Sequence, residues 1–149
     1  MYKRILVPLE NSPYDDAIVD HVQGLALALG SSIVFIHVAD GFAARNMESL
    51  KLRESEEMKN DREYIEKIAR SVEEAGIDAD AVLATGDPAT EISEAAKREG
   101  CELIAMSTHG HKFMNDMLRG SVAHTVRHVS TIPVLLVRGN ARGRGAVQA

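Results

Sequence analysis

The residues best able to do chemistry in this chain lie in one stretch. It reads Met106-Ser107-Thr108-His109-Gly110, then nine residues, then Gly120-Ser121-Val122. Glycine lets backbone N–H groups come close to an anion, because no Cβ stands in the way. Gly120-Ser121 at a helix start would add free amide donors, the positive end of the helix dipole and a hydroxyl. Gly110, near a strand end, could close the other side of the same cradle. This is the chemistry of phosphate binding. The chain has no G-x-x-x-x-G-K-[ST] loop, and no G-x-G-x-x-G follows its first apolar run, so the two commonest nucleotide fingerprints are missing. Taken singly, each glycine is more simply a turn or a cap.

The elements that must hold this stretch are legible as short aliphatic runs separated by helical patterns. The runs are Ile5-Leu6-Val7, Ile33 to Val38, the weaker Ala81 to Ala84, Leu103 to Met106, and Val134 to Val137. Near-continuous aliphatic strands without polar alternation suit a sheet covered on both faces. Ser12-Pro13 reads as an N-cap followed by proline at the first helical position, with Asp15 and Asp16 near the positive helix end. Ile18, Val22, Leu25, Ala26 and Leu29 then recur at helical spacing up to Gly30. A second helix is expected from about Glu48 to Ala75, carrying Met58, Ile65, Ile68 and Val72. Its charged start, Met47 to Asn60, reads as solvated or mobile. Asp87-Pro88 opens a third helix through Ile92 and Ala95-Ala96 to Gly100. Gly120-Ser121 opens a fourth through Val122, Val126 and Val129.

Strand–helix alternation predicts right-handed parallel crossovers, hence a single open doubly wound parallel sheet of five strands with helices on both faces, an α/β Rossmann-like fold. Ligands in such sheets bind beyond the carboxyl ends of the strands, where strand order reverses. The loops at Pro8–Asn11, Val38–Gly41, Gly86-Asp87 and Ser107–Ser121 are therefore the ones to inspect. The last is long for its position, and long ordered loops tend to carry function.

Size and composition exclude several classes. The 149 residues suit one domain, and 45% apolar with 26% charged residues is an ordinary globular balance. Lys plus Arg is 17 against 22 Asp plus Glu, a net charge of −5, which argues against a nucleic-acid partner. No apolar run approaches the ~20 residues that span a bilayer, and the first residues are too short for a signal peptide. A lone Cys101 allows no internal disulfide and suits a reducing, cytoplasmic setting. The segment from Gly139 to Ala149 lacks apolar patterning and reads as a disordered tail after a domain at residues 1–138.

Taken together, these segments resemble the universal stress protein family. The likeness runs from Lys3-Arg4-Ile5-Leu6-Val7-Pro8 through Ile36-His37-Val38 to Thr131-Ile132-Pro133-Val134-Leu135-Leu136-Val137, and is most specific at Ser107 to Gly110 with Gly120-Ser121. It looks like the ATP-binding form, whose motif is G-x-x-G, nine residues, then G-[ST]. It implies an adenine nucleotide alpha hydrolase-like fold, with ATP, accompanied by magnesium, as the ligand. It implies that Gly110, Gly120, Ser121 and Val122 surround the phosphates, and that Met106, Ser107 and His109 line the ribose and phosphate side. Pro8, Leu9 and Glu10 would lie near the nucleoside and Val38 beside the adenine. Two positions depart from the pattern: Ser107 stands for the motif's first glycine, and Glu10 stands where many ATP-binding members have aspartate. The resemblance also implies a homodimer through strand five (Val134, Leu135, Leu136, Val137) and a regulatory role, with a membrane transporter as one class of partner.

Other residues have simpler readings. Lys112 and Arg119 could screen phosphate charge, and solvation explains them as well. Asp116 could help hold magnesium, or be a surface acid. His124 and His128 share a helix face at four-residue spacing, but no third ligand stands near them in the sequence. Cys101 reads as a small packed thiol. Glu48–Glu63 reads as a solvated helix face or a partner contact. No nucleophile–base–orienter set is evident, so no catalytic residue is expected and hydrolysis would be slow at most. A nucleotide-free dimeric interaction module is the remaining alternative. A response-regulator receiver is excluded, because the acidic pair, the phosphate-accepting Asp and the lysine it needs are missing.

Overall fold

The computed structural model describes residues 1–40, 51–108 and 117–139. Its elements run β1 (Arg4–Pro8), α1 (Asp15–Leu29), β2 (Ser32–Asp40), α2 (Lys51–Glu74), β3 (Ala79–Gly86), α3 (Pro88–Arg98), β4 (Leu103–Thr108), α4 (Met117–Val129) and β5 (Val134–Arg138). The five strands lie in the order β3-β2-β1-β4-β5, and every pairing is parallel. The chain first winds outward to β3 and then returns across β1 to β4, so the order reverses between β1 and β4. That is the open, doubly wound α/β sheet expected from the aliphatic runs.

Strand alternation sorts the core into two layers. Ile5, Val7, Ile33, Phe35, Leu103 and Ala105 face α1 and α2, meeting Ile18, Val19 and Val22 of α1 and Ile65, Ala69 and Val72 of α2. Leu6, Val34, Ile36, Ile104 and Met106 face α3 and α4, meeting Ala89, Ile92, Ala95 and Ala96 of α3 and Ala123 and Val126 of α4. Each fully buried aliphatic side chain contributes roughly 1.5–3 kcal/mol of transfer free energy. The two layers are therefore the main force holding the sheet between its helices.

Helix boundaries show where local chemistry decides. Asp87 caps α3 as expected: its carboxylate accepts the Thr90 N–H at 3.0 Å, and Pro88 follows at the helix start. The Ser12-Pro13 expectation is corrected. Helix α1 begins at Asp15, and Tyr14 at its N-cap makes no side-chain capping bond. Ser12 instead accepts the Asp15 N–H on its carbonyl at 3.0 Å and the Tyr14 N–H on its hydroxyl at 3.3 Å, which spends its acceptors one turn too early to cap. Helix α4 also starts earlier than expected, at Met117. Met117, Leu118 and Arg119 are good helix formers and extend it backwards, so Gly120-Ser121 lies inside the first turns. The expected mobile start of the second helix divides: Met47 to Leu50 lie outside the described residues, and Lys51 to Asn60 are helical.

At the amino edge of the sheet a cluster that the apolar pattern does not announce ties four elements together. Arg4 donates from Nε to the Glu99 carbonyl at 2.8 Å and from Nη2 to Asp80 Oδ2 at 2.9 Å and Glu99 Oε1 at 3.2 Å. Its Nη1 reaches Ser32 Oγ at 3.3 Å. One guanidinium, with donors fixed in a fork, thus links β1 to β2, β3 and the end of α3.

Candidate functional site

At the opposite, carboxyl edge, the reversal between β1 and β4 opens a cavity of about 150 Å³. The end of β1 supplies Pro8, Leu9 and Glu10, and β2 supplies Ile36 and Val38. The first turns of α3 supply Pro88 and Ile92, β4 supplies Met106 and Ser107, and α4 supplies Val122. Its walls are mostly aliphatic, so it is a slot for a flat apolar body with polar groups at the rim. At this size it lies below the ~300–1,000 Å³ of sites that enclose a drug-sized molecule, and suits one ring system with the remainder of a ligand outside.

Seven residues singled out in the sequence thus meet around one space: Pro8, Leu9, Glu10, Val38, Met106, Ser107 and Val122. Gly120 and Ser121 lie two residues and one residue before Val122 on the same helix. His109 and Gly110, together with Lys112 and Asp116, lie outside the described residues. Three lining residues were not anticipated: Ile36, Pro88 and Ile92. For Pro88 the Asp87-Pro88 cap was visible, but not that the helix it opens would overhang the switch point.

Ser107 shows how tightly the rim is packed. Alternation along β4 turns its side chain away from Met106 and toward the α1 layer. There its hydroxyl is buried with no hydrogen-bond partner among the described residues. Gly139, immediately after β5, is itself buried, and its N–H donates to the Thr108 carbonyl at 2.6 Å. A Cβ at Gly139 would run into Ser107 Oγ and lie 3.5 Å from the Tyr14 Cβ, so only glycine fits here without movement.

The loop from Leu9 to Tyr14, which carries one wall of the cavity, is held by an unusual number of polar contacts. The Leu9 N–H donates to the Ile36 carbonyl at 2.8 Å. Asp15, only 1% exposed, turns its carboxylate back into the loop. It accepts the N–H groups of Glu10 at 3.0 Å, Asn11 at 2.8 Å and Ser12 at 3.2 Å, and the Tyr64 hydroxyl of α2 at 2.7 Å. Burial pushes the Asp15 carboxyl above the usual carboxylate range, against the opposing pull of these donors. Asn11 sits at φ +62°, a left-handed conformation that asparagine tolerates better than most residues. Its side-chain amide donates to Asp61 Oδ1 at 3.0 Å. The other Asp61 oxygen lies 3.3 Å from His37 Nε2, and His37 Nδ1 lies 2.9 Å from the Leu9 carbonyl. At the rim itself, the Ser12 hydroxyl donates to Glu10 Oε2 at 3.1 Å.

Elsewhere the site chemistry is sparse. His124 and His128 do share a face, with ring centroids 4.4 Å apart and nearly perpendicular. Among the described residues no group of three or more His, Cys, Asp or Glu is arranged to hold a metal ion. Cys101 is 5% exposed, and burial pushes its thiol up to about 11, so it packs as a protonated apolar group. No helix among the described residues is long and apolar enough to cross a membrane.

A parallel sheet ordered β3-β2-β1-β4-β5, with an apolar slot where the order reverses, defines a Rossmann-like α/β protein with its crevice at the carboxyl edge. Comparison with known proteins narrows that class. The chain belongs to the universal stress protein family, whose model matches residues 1–138. It is 30% identical to universal stress protein MJ0577 of Methanocaldococcus jannaschii over 158 aligned positions, covering 93% of this chain and 96% of that one. The solved structure of MJ0577 superposes with a TM-score of 0.81 at 28% identity, over 93% and 96% of the two chains. Two more distant structures share the fold. A universal stress protein solved in complex with cAMP has a TM-score of 0.65 at 19% identity, covering 92% of this chain and 97% of its own. The Archaeoglobus fulgidus protein solved in complex with dAMP has a TM-score of 0.64 at 17% identity, covering 91% and 97%.

Proposed function

We propose that this chain is a regulatory stress protein that binds an adenine nucleotide, ATP by its glycine motif, in the cavity at the carboxyl edge. The observation that carries the reading is the convergence of Pro8, Glu10, Val38, Met106 and Val122 on one aliphatic slot at the switch point. In this reading the adenine occupies the slot against Val38 and Ile92, and the ribose lies near Glu10 and Met106. The phosphates reach toward the start of α4, where the N–H groups of a first helical turn lack intrahelical partners. Gly110, Gly120 and Ser121 complete that cradle, with His109 on its ribose side and magnesium accompanying the phosphates. Gly120 contributes by letting the backbone approach closely and Ser121 by its hydroxyl, the free N–H groups lying earlier in a helix that begins at Met117. The cAMP and dAMP complexes of the two structural relatives support an adenine ligand over another base.

A homodimer formed along β5 belongs to the same proposal. β5 is the sheet edge beyond β4, and Leu136 on it is 38% exposed; an apolar edge strand invites pairing across a two-fold axis. The nucleotide would then bias a dimer that contacts a protein partner, a transporter being one class that fits. The test is equilibrium dialysis against ATP, with nucleotide retained by the purified protein identified by mass spectrometry. Wild type is expected to bind at submillimolar concentration, and Gly120→Val, which places a branched side chain in the cradle, to lose binding. Absence of wild-type binding at millimolar ATP would favour the nucleotide-free interaction module. Multiple-turnover phosphate release that Ser121→Ala or Glu10→Ala abolishes would make the protein a slow ATPase.

A further inference from the structure

We propose that His37 of β2 and Asp61 of α2 form a protonation-dependent clasp that positions the Leu9–Glu10 wall of the cavity, so that adenine-nucleotide affinity rises when His37 is charged. The inference rests on the nucleotide reading above, and concerns the loop behind the slot rather than the slot itself.

The argument starts from what imidazole can donate. His37 Nδ1 lies 2.9 Å from the Leu9 carbonyl, and Nε2 lies 3.3 Å from Asp61 Oδ2. A carbonyl and a carboxylate only accept, whereas a neutral imidazole has a single N–H and can serve one of them. Only the imidazolium, with two N–H groups, serves both. The side chains of His37 and Asp61 are 13% and 20% exposed, so water replaces a lost partner poorly. Asp61 uses its second oxygen to take the Asn11 amide at 3.0 Å. Its one carboxylate therefore spans from β2 to the loop, and Tyr64, three residues further along α2, holds Asp15 at 2.7 Å.

All these contacts end on the segment whose Leu9 and Glu10 line the cavity. Deprotonating His37 withdraws one donor and one charge. Either the Leu9 carbonyl or the Asp61 Oδ2 then loses the imidazole N–H that faces it, and the wall is less firmly set. The titratable groups in this network are Asp61 and Tyr64 from α2 and Glu10 and Asp15 from the β1–α1 segment. The register partner of His37 on β3 is the apolar Leu83. His37 and Asp61 touch no part of the cavity, so both are positioning residues.

The experiment is isothermal titration of the full chain with ATP between about pH 6 and 8, for wild type, His37→Gln and Asp61→Asn, with folding checked by circular dichroism. ATP's own ionisation is common to all three proteins and cancels in the ratio of dissociation constants. Wild type is expected to bind roughly three- to fivefold more tightly than His37→Gln at the acid end, the size of a partly exposed charge pair. The advantage should fade toward pH 8, and Asp61→Asn should likewise lose it. A purely structural role would give a ratio that does not change with pH; that result, or a wild-type profile retained by Asp61→Asn, overturns the clasp while leaving nucleotide binding intact. No wild-type binding at any pH overturns the nucleotide reading, and the clasp's effect on affinity with it.

Discussion

Replacing Asp15 tests whether one buried carboxylate shapes the cavity loop. In Asp15→Ala four donors lose their acceptor: the N–H groups of Glu10, Asn11 and Ser12 and the Tyr64 hydroxyl. Asn11 is exposed and can turn its N–H to water, so the uncompensated cost falls on the other three. Hydrogen bonds to a charged acceptor contribute ~1.5–3 kcal/mol each but do not add in full. A total loss of about 3–5 kcal/mol is expected, similar to breaking other buried charge contacts. Asp15→Asn should cost less. Its amide oxygen can take the place of Oδ2, which serves Asn11, Ser12 and Tyr64, leaving the NH₂ opposed to the Glu10 N–H alone. One unsatisfied donor costs roughly 1–3 kcal/mol. Urea unfolding of the three proteins at neutral pH, extrapolated linearly, measures both differences. The reasoning fails if Asp15→Ala lies within about 1 kcal/mol of wild type, or if Asp15→Asn is as damaging as Asp15→Ala.

The same group carries a pH signature. Burial raises its folded value above the ordinary 3.8, so the folded protein holds this proton to higher pH than the unfolded chain does. Unfolding then releases a proton in that window, and stability falls as pH rises through it. Measured relative to Asp15→Asn, the wild-type advantage should be largest below about pH 3.8 and shrink, to the smaller difference expected at neutral pH, as pH climbs past the folded value.

Three further outcomes follow from single contacts. Asp87→Ala should destabilise by about 1 kcal/mol through the lost cap; because the Thr90 bonds hold the Asp87 carboxyl below its usual range, this difference should persist above pH 3.8 and vanish as pH falls through the lower folded value, as thermal melts will read. Cys101, held near 11, should react with a thiol reagent at pH 8 roughly a hundredfold more slowly in the folded protein than in urea, since only thiolate attacks. Ile92→Ala should cost about 2–3 kcal/mol in urea unfolding, the low end for this truncation, because Ile92 already borders open space.

The sheet was legible because its aliphatic runs carry their own signal: Ile5-Leu6-Val7 and Leu103 to Met106 cannot sit comfortably anywhere but between two helical layers. Asp87-Pro88 declared its helix for an equally local reason. Side chains that act at a distance left no such mark. Asp15 looked like a helix-end acid, since nothing in Ser12-Pro13-Tyr14-Asp15 says that the carboxylate folds back onto the three preceding amides. Asp61 looked like part of a solvated charged helix face and Tyr64 carried no signal of its own, and their reach to the β1–α1 segment depends on how α2 crosses β2. Ile92 read as core, which it is; that one edge of it also borders the slot follows only from the order of the strands. Arg4 was visible as part of a family-like start, but its three partner residues, Ser32, Asp80 and Glu99, come from separate parts of the chain.

The position of Gly139 bears on how the protein should be handled. A fusion made directly at this residue, whether to an affinity handle, a fluorophore or a surface linker, would start beside Ser107, which lines the slot, and Tyr14. An attachment ahead of Arg4 leaves from the far rim, where the guanidinium already fastens the strands to one another. Immobilised preparations for ligand sensing are therefore better anchored through the amino end than through a fusion at Gly139.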